Sequence, residues 1–152
     1  MERSLEIKAP VEKVWAFMTD WDRYPEWTKS VEKFEITSKQ RSGVGMTSHE
    51  VGVLAGRGRY DIHSEATEFV ENRIIAWCVV SGDKLVRKGT KVSWMMKPTK
   101  VGTQLTYSSD YEVPYSIFGK IIERLIFRGR FEKQLESWME NIKRLVEKGG
   151  KR

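Results

Sequence analysis

The side chains that could do acid–base chemistry here are few: Ser48, His49 and Glu50 in a row, His63 fourteen positions on from His49, and the tyrosines Tyr107 and Tyr111. Taking a proton from beside a carbonyl needs a carboxylate or imidazole near the C–H, and a donor such as a tyrosine hydroxyl for the developing enolate oxygen. Whether these residues meet depends on strand register. With a two-residue turn at Ala55-Gly56, His49 and Val51 share a face with Tyr60 and Ile62; shifted by one, Ser48 and Glu50 take that face. Spacing alone builds no catalytic constellation, so no residue receives a catalytic role.

Other chemistries find no support. Two histidines fourteen positions apart and the single Cys78 make no zinc spacing, and no metal ligand is assigned. Gly56-Arg57-Gly58 lacks a third glycine and leads into a strand, which makes it a hairpin turn and not a dinucleotide site. Neither a phosphate-binding Gly-Lys-Ser/Thr loop nor a Gly-x-Ser-x-Gly elbow occurs, and no cofactor is expected.

The elements that must position these groups follow from hydrophobic period. Ser4 to Lys8 alternates as a strand, and Pro10 then opens a helical pattern through Val11, Val14, Trp15, Phe17 and Met18. Asp20 to Trp27 reads as a second short helical turn. From Val31 to Val113 the period is two, with breaks at Gly43 and Gly45, Gly56 to Gly58, Glu71-Asn72, Gly82-Asp83 and Pro98 to Gly102. Six strands joined by short loops are antiparallel, and with the first the sheet has seven. Tyr115 to Lys148 keeps helical spacing throughout, which predicts one long amphipathic helix lying on the sheet and overhanging or bending near Gly119 and Gly129. The predicted fold is α+β: a seven-stranded antiparallel sheet gripping a long C-terminal helix, with two short helices after strand 1. Residues 1–148 form one domain and residues 149–152 a polar tail.

A twisted sheet around a helix leaves a gap where the two diverge. The expected lining is Trp94 and Met96, Tyr107 and Tyr111 from strands, Phe118, Ile121, Ile122 and Leu125 from the helix, and Trp27, with Glu50 if its register faces inward. The alternative is that they are simply core. Tyr107 and Tyr111 favour a site, because a tyrosine hydroxyl in a dry core needs a partner.

Composition agrees. The chain has 152 residues, 39% hydrophobic and 32% charged, enough large apolar side chains for a core without disulfides and too many for disorder. No apolar run approaches the ~18 residues of a membrane span. With one cysteine and no signal-peptide pattern, a cytoplasmic location is expected.

Four motifs, in order, carry a resemblance. They are Ile7-Lys8-Ala9-Pro10-Val11-Glu12-Lys13-Val14-Trp15, Asp22-Arg23-Tyr24-Pro25-Glu26-Trp27, Gly102-Thr103-Gln104-Leu105-Thr106-Tyr107, and Tyr111-Glu112-Val113-Pro114 leading to a helix that ends Asn141 to Glu147. Over nearly its whole length the chain resembles the START-like, Bet v 1-type (SRPBCC) superfamily, and within it the polyketide cyclase/dehydrase and lipid transport family. The resemblance implies a helix-grip fold and a cavity for a small hydrophobic ligand such as a lipid, isoprenoid or polyketide. Members range from carriers to enzymes, so binding or transfer is the leading expectation and a cyclase/dehydratase-type enzyme the alternative. A third reading, a ribosome- or RNA-associated module, rests on the net charge of +6. Against it, no run of interleaved aromatic and basic residues suited to RNA appears.

That charge is localised. From Ser116 onward there are ten basic and five acidic residues, while the rest of the chain is nearly neutral. Arg124, Arg128 and Arg130 cluster beside Gly129, the expected place for an anionic head group or membrane surface. Arg73 to Val80 is apolar on both faces, which predicts that a loop or a second copy of the chain, as a homodimer, covers its outer side.

Overall fold

The structure, a computed structural model, describes residues 1–56, 58–114 and 119–149. The Arg57 position, the 115–118 segment with Phe118, and the end of the tail lie outside them. Strand β1 (Glu2–Ile7) leads through Pro10 into α1 (Val11–Met18), which buries Val11, Val14, Trp15, Phe17 and Met18. Thr19 ends α1 by donating its hydroxyl to Trp15 O at 2.8 Å. A 3-10 turn (Trp21–Arg23) and the one-turn helix α2 (Tyr24–Trp27) follow, with Pro25 in the first turn where its missing N–H costs nothing.

The meander is β2 (Val31–Ile36), β3 (Thr47–Leu54), β4 (Gly58–Val70), β5 (Ile74–Ser81), β6 (Lys91–Pro98) and β7 (Thr103–Ser109). The sheet order is β1-β7-β6-β5-β4-β3-β2, all antiparallel, so each strand of the meander lies beside the next and β1 closes the β7 edge. Register shifts at His63/Ser64 and Ala66/Glu68 break the β4–β5 ladder, and such bulges bend and twist a long strand. The last strand stops at Ser109, short of the predicted Val113, because Asp110 turns its carboxylate onto Lys91 N (2.7 Å) and Ser109 Oγ accepts from Tyr111 N.

Helix α3 (Ile121–Gly149) is about 44 Å long at ~1.5 Å per residue. Its buried stripe is Phe127, Phe131, Leu135, Met139, Ile142 and Val146, steps of four or three that keep one face on the sheet. The overhang predicted for this helix falls at its N-terminal end. Ile121, Ile122 and Leu125 are 71%, 71% and 62% exposed, so they are not the inward-facing residues that helical spacing alone suggested. Burial begins only at Phe127.

Strand β5 divides as its sequence predicts. Ile75 and Val79 are buried and Trp77 faces inward with them; outside, Ile74, Ala76 and Cys78 are half-buried and Val80 is exposed. The chain itself covers that outer face only in part.

Candidate functional site

Between the sheet and α3 lies a cavity of about 130 Å³. Its wall is aromatic. Tyr24, Trp27, Trp94 and Tyr107 form a run of edge-to-face contacts with ring centroids 4.8, 5.6 and 4.9 Å apart, Tyr24 also stacks on Phe34 at 4.0 Å, and Trp21 meets Trp77 at 5.8 Å. Trp21, Tyr24 and Trp27 come from the 3-10 turn and α2, whereas Phe34, Trp77, Trp94 and Tyr107 stand on β2, β5, β6 and β7. The short helices thus complete a wall that the sheet begins.

One carboxyl stands in this wall. Leu54 pairs with Gly58, so the β3–β4 turn holds three residues, 55 to 57, and not two. That places Ser48, Glu50, Gly52 and Leu54 on the same face as Gly58, Tyr60, Ile62 and Ser64 and resolves the register that the sequence left open. Glu50 faces in; His49 and His63 face out. Tyr60 donates to Glu50 Oε2 at 2.5 Å and Tyr24 donates to Glu50 Oε1 at 2.8 Å. Gly52, opposite Tyr60, makes this possible, since a Cβ there would stand 2.8 Å from the Tyr60 hydroxyl and 3.0 Å from Ser30 O.

Helix α3 fixes the end of this strand. Gln134 Nε2 donates to Val53 O at 2.9 Å and to Ser30 Oγ, and its Oε1 accepts from Ala55 N at 2.6 Å. The β5–β6 loop packs at this same end, where Leu85 and Val86 cluster with Leu54, Ala55 and Tyr60; Asp83 Oδ1 accepts from Leu85 N and Val86 N, both at 2.9 Å, and Val86 reaches the cavity.

Burial dominates the electrostatics. It raises the Glu50 carboxyl from its ordinary value, although both tyrosine hydrogen bonds pull it down. Desolvation, with the Glu50 charge beside them, pushes the Tyr24 and Tyr60 hydroxyls well up, and burial takes Tyr107 up to about 12. Tyr24, Glu50 and Tyr60 therefore form a neutral or singly charged cluster with both carboxyl oxygens engaged. A second polar feature is the indole N–H of Trp27: buried, and without a hydrogen-bond acceptor among the described residues.

Among the residues expected from sequence, Trp27, Glu50, Trp94, Tyr107 and Tyr111 line the cavity. The Tyr111 hydroxyl finds its partner in Leu85 O at 3.1 Å. Met96 is buried in the main core and is not part of the lining, because α1 packs over its end of β6. Ile121 and Leu125 line a separate outer pocket with Met1, Arg87, Glu112, Arg124 and Arg128; this pocket shares Tyr111 and Phe131 with the cavity. Ile122 lines neither, and Arg130 is not in the outer pocket. Sequence reasoning missed Tyr24, Trp21 and Trp77. Tyr24 had a signal: it lies three positions before Trp27 in a helical turn, hence on the same side.

On the outer face of the same hairpin, His49, Asp61 and His63 bring their ligand-type atoms within 4.8 Å of one another. Fourteen positions of sequence become one cross-strand step, since His49 pairs with His63.

A helix-grip sheet with an aromatic cavity defines the class of hydrophobic-ligand-binding domains. The sequence matches the polyketide cyclase / dehydrase and lipid transport family over residues 1–147, and the chain belongs to that family. No curated protein matches the sequence. Among solved structures, TTHA0849 from Thermus thermophilus is similar at TM-score 0.76 and 23% identity, over 96% of this chain and 94% of that one. A START superfamily protein from Mycobacterium smegmatis is similar at TM-score 0.75 and 16% identity, over 97% of each chain. The Zhui aromatase/cyclase from Streptomyces sp. R1128 is similar at TM-score 0.73 and 18% identity, over 97% of this chain and 92% of that one. At these identities the likeness is one of fold. Among the described residues no helix is long and apolar enough to cross a membrane.

Proposed function

We propose that this protein binds a small, largely aromatic or polyketide-like molecule in the cavity, with one polar end held at Glu50. The observation that carries the reading is the Tyr24–Glu50–Tyr60 cluster in a mainly aromatic and aliphatic wall whose other polar groups are neutral hydroxyls and an indole N–H. A cavity for a purely apolar ligand gains nothing from a buried carboxyl, which costs free energy unless something uses it. The partnerless N–H of Trp27 asks for an acceptor on the same ligand. In the outer pocket, Arg87, Arg124 and Arg128 outnumber the one carboxylate, Glu112, and suit an anionic group of the ligand.

The test is to purify the untagged protein from its native source, identify the co-purifying small molecule by mass spectrometry, and return it to the ligand-free protein. At 100 times its dissociation constant a ligand adds about 2.7 kcal/mol, a rise in Tm of roughly 5–10 °C for a chain of this size. The reading fails if no molecule co-purifies and no aromatic or polyketide-like compound shifts Tm.

A second reading is favoured by one specific observation, the raised carboxyl with two hydroxyls in reach. In a cyclase/dehydratase-type reaction Glu50 would take the proton beside the substrate carbonyl and return it to the departing hydroxyl, while a tyrosine O–H donates to the enolate oxygen. Glu50→Gln separates the two: a carrier changes affinity only, whereas an enzyme keeps binding and loses turnover.

A further inference from the structure

We propose that His49, His63 and Asp61 form a binding site for one divalent first-row transition ion of the zinc type, on the solvent side of the β3–β4 hairpin. The two imidazoles come from directly opposed positions on neighbouring strands and stack face to face, with ring centroids 4.2 Å apart and planes 4° from parallel. Asp61 Oδ1 lies 2.7 Å from His49 Nε2, and Glu35, opposite His49 on β2, places a carboxylate oxygen 3.6 Å from His49 Nδ1. Two imidazole nitrogens and the Asp61 carboxylate are donors that such ions prefer, whereas calcium and magnesium take oxygen alone; Glu35, at the other ring nitrogen of His49, is placed to orient that imidazole and not to touch the ion.

The scaffold is suited to the task. All four side chains project from paired strands and none from a loop, so the backbone is held by ladders on both sides of β3. Tetrahedral zinc with bonds of about 2.0–2.1 Å needs its ligand atoms roughly 3.4 Å apart. The present spread is up to 4.8 Å and the rings lie parallel, so ligation of one ion requires both imidazoles to rotate out of their stack until their ring nitrogens converge. His49 is itself only 16% exposed in its side chain, which limits the water competing for it.

The site would lie behind the cavity. His49 precedes Glu50 and Asp61 follows Tyr60, so an ion bridging β3 and β4 outside would clip together the two residues whose side chains meet inside. The rival explanation of the same contacts is a hydrogen bond between His49 and Asp61 with the Glu35 carboxylate nearby, and the experiment distinguishes them.

Zn(II) is titrated into untagged, chelator-treated protein by calorimetry, with Co(II) absorption as a second measurement and circular dichroism to show that each variant stays folded. The expected result is one ion per chain at micromolar or tighter affinity, weakened at least tenfold by His49→Ala or His63→Ala and less by Asp61→Asn. It should also bring a zinc-dependent rise in Tm that vanishes in the double histidine variant. Half-buried Cys78 is the competing ligand, so Cys78→Ser is titrated in parallel. The proposal is overturned if no saturable binding occurs, or if the double histidine variant binds as wild type does while Cys78→Ser does not.

Discussion

The two faces of the β3–β4 hairpin carry titratable residues at adjacent positions and use them in opposite ways. Inside, Glu50 is walled by aromatic rings and met by two tyrosine hydroxyls, and burial pushes its carboxyl up. Outside, one residue away, His49 stacks on His63 between the carboxylates of Asp61 and Glu35, whose side chains are 62% and 52% exposed. Residue type does not separate these sites, since each has a carboxylate and a ring partner. What separates them is which side of a pleated sheet faces α3, and that is decided by one residue in the turn at 55 to 57. On the inner side a charge loses its hydration and a ligand is shielded; on the outer side a charge stays solvated and an ion can reach it.

The sharpest way to break this contrast is truncation on each face. Trp27 is 1% exposed and touches Tyr24 and Trp94, so Trp27→Ala should cost about 3–5 kcal/mol in urea unfolding. His63→Ala, on the outer face and away from the core, should stay within about 0.5 kcal/mol in the absence of metal. Equal losses from both would mean that the outer cluster is structural and the contrast is wrong.

Next in size are the partners of Glu50. Tyr60→Phe leaves one carboxyl oxygen without its donor and should cost about 1–3 kcal/mol at neutral pH. Gly52→Ala should do similar damage indirectly, by pushing the Tyr60 ring off Glu50, whereas Tyr60→Phe leaves that ring in place. A ligand that relies on the cluster should then lose affinity for both variants.

The protonation of Glu50 tests the inner site through pH. Its folded value lies above its unfolded one, so between the two the folded chain holds the extra proton, and stability falls as pH rises through that interval. Glu50→Gln removes this penalty. The variant should unfold at higher temperature than wild type at pH 8, and the difference should shrink as pH falls toward 4. A difference independent of pH would show that Glu50 has no unusual protonation.

How far these sites were legible in sequence follows from the same geometry. Strand period identified the inner faces of β6 and β7, where Trp94 and Met96 and Leu105 and Tyr107 alternate cleanly, because those strands are buried on one side only. Glu50 and His49 could not be told apart, since the strand carries polar groups on both faces and the turn length sets the register. Ile121, Ile122 and Leu125 were misplaced for a different reason: helical spacing reports which residues share a face, and says nothing of where along the helix the sheet ends. The histidine cluster was hidden because it is local only across strands. His49 and His63 become neighbours through the ladder and through nothing in their spacing.

The smallest expected effect concerns the turn that sets this register. Ala55 has φ 56°, the left-handed region that costs an ordinary L-residue roughly 1–2 kcal/mol. Glycine would remove that strain but adds roughly 0.5–1 kcal/mol of chain entropy to the unfolded state, leaving Ala55→Gly stabilising by about 0–1.5 kcal/mol before packing is counted. The position is occupied by alanine although glycine follows it, and the methyl is buried against the Leu54 and Tyr60 cluster, which reduces the gain further. Asn72, in the β4–β5 turn at φ 64°, is the internal control, because asparagine tolerates this conformation and Asn72→Gly should be nearly neutral. If Ala55→Gly instead destabilises by more than Asn72→Gly does, the buried methyl outweighs the strain, and packing at 55 as well as turn length holds Glu50 on the inner face.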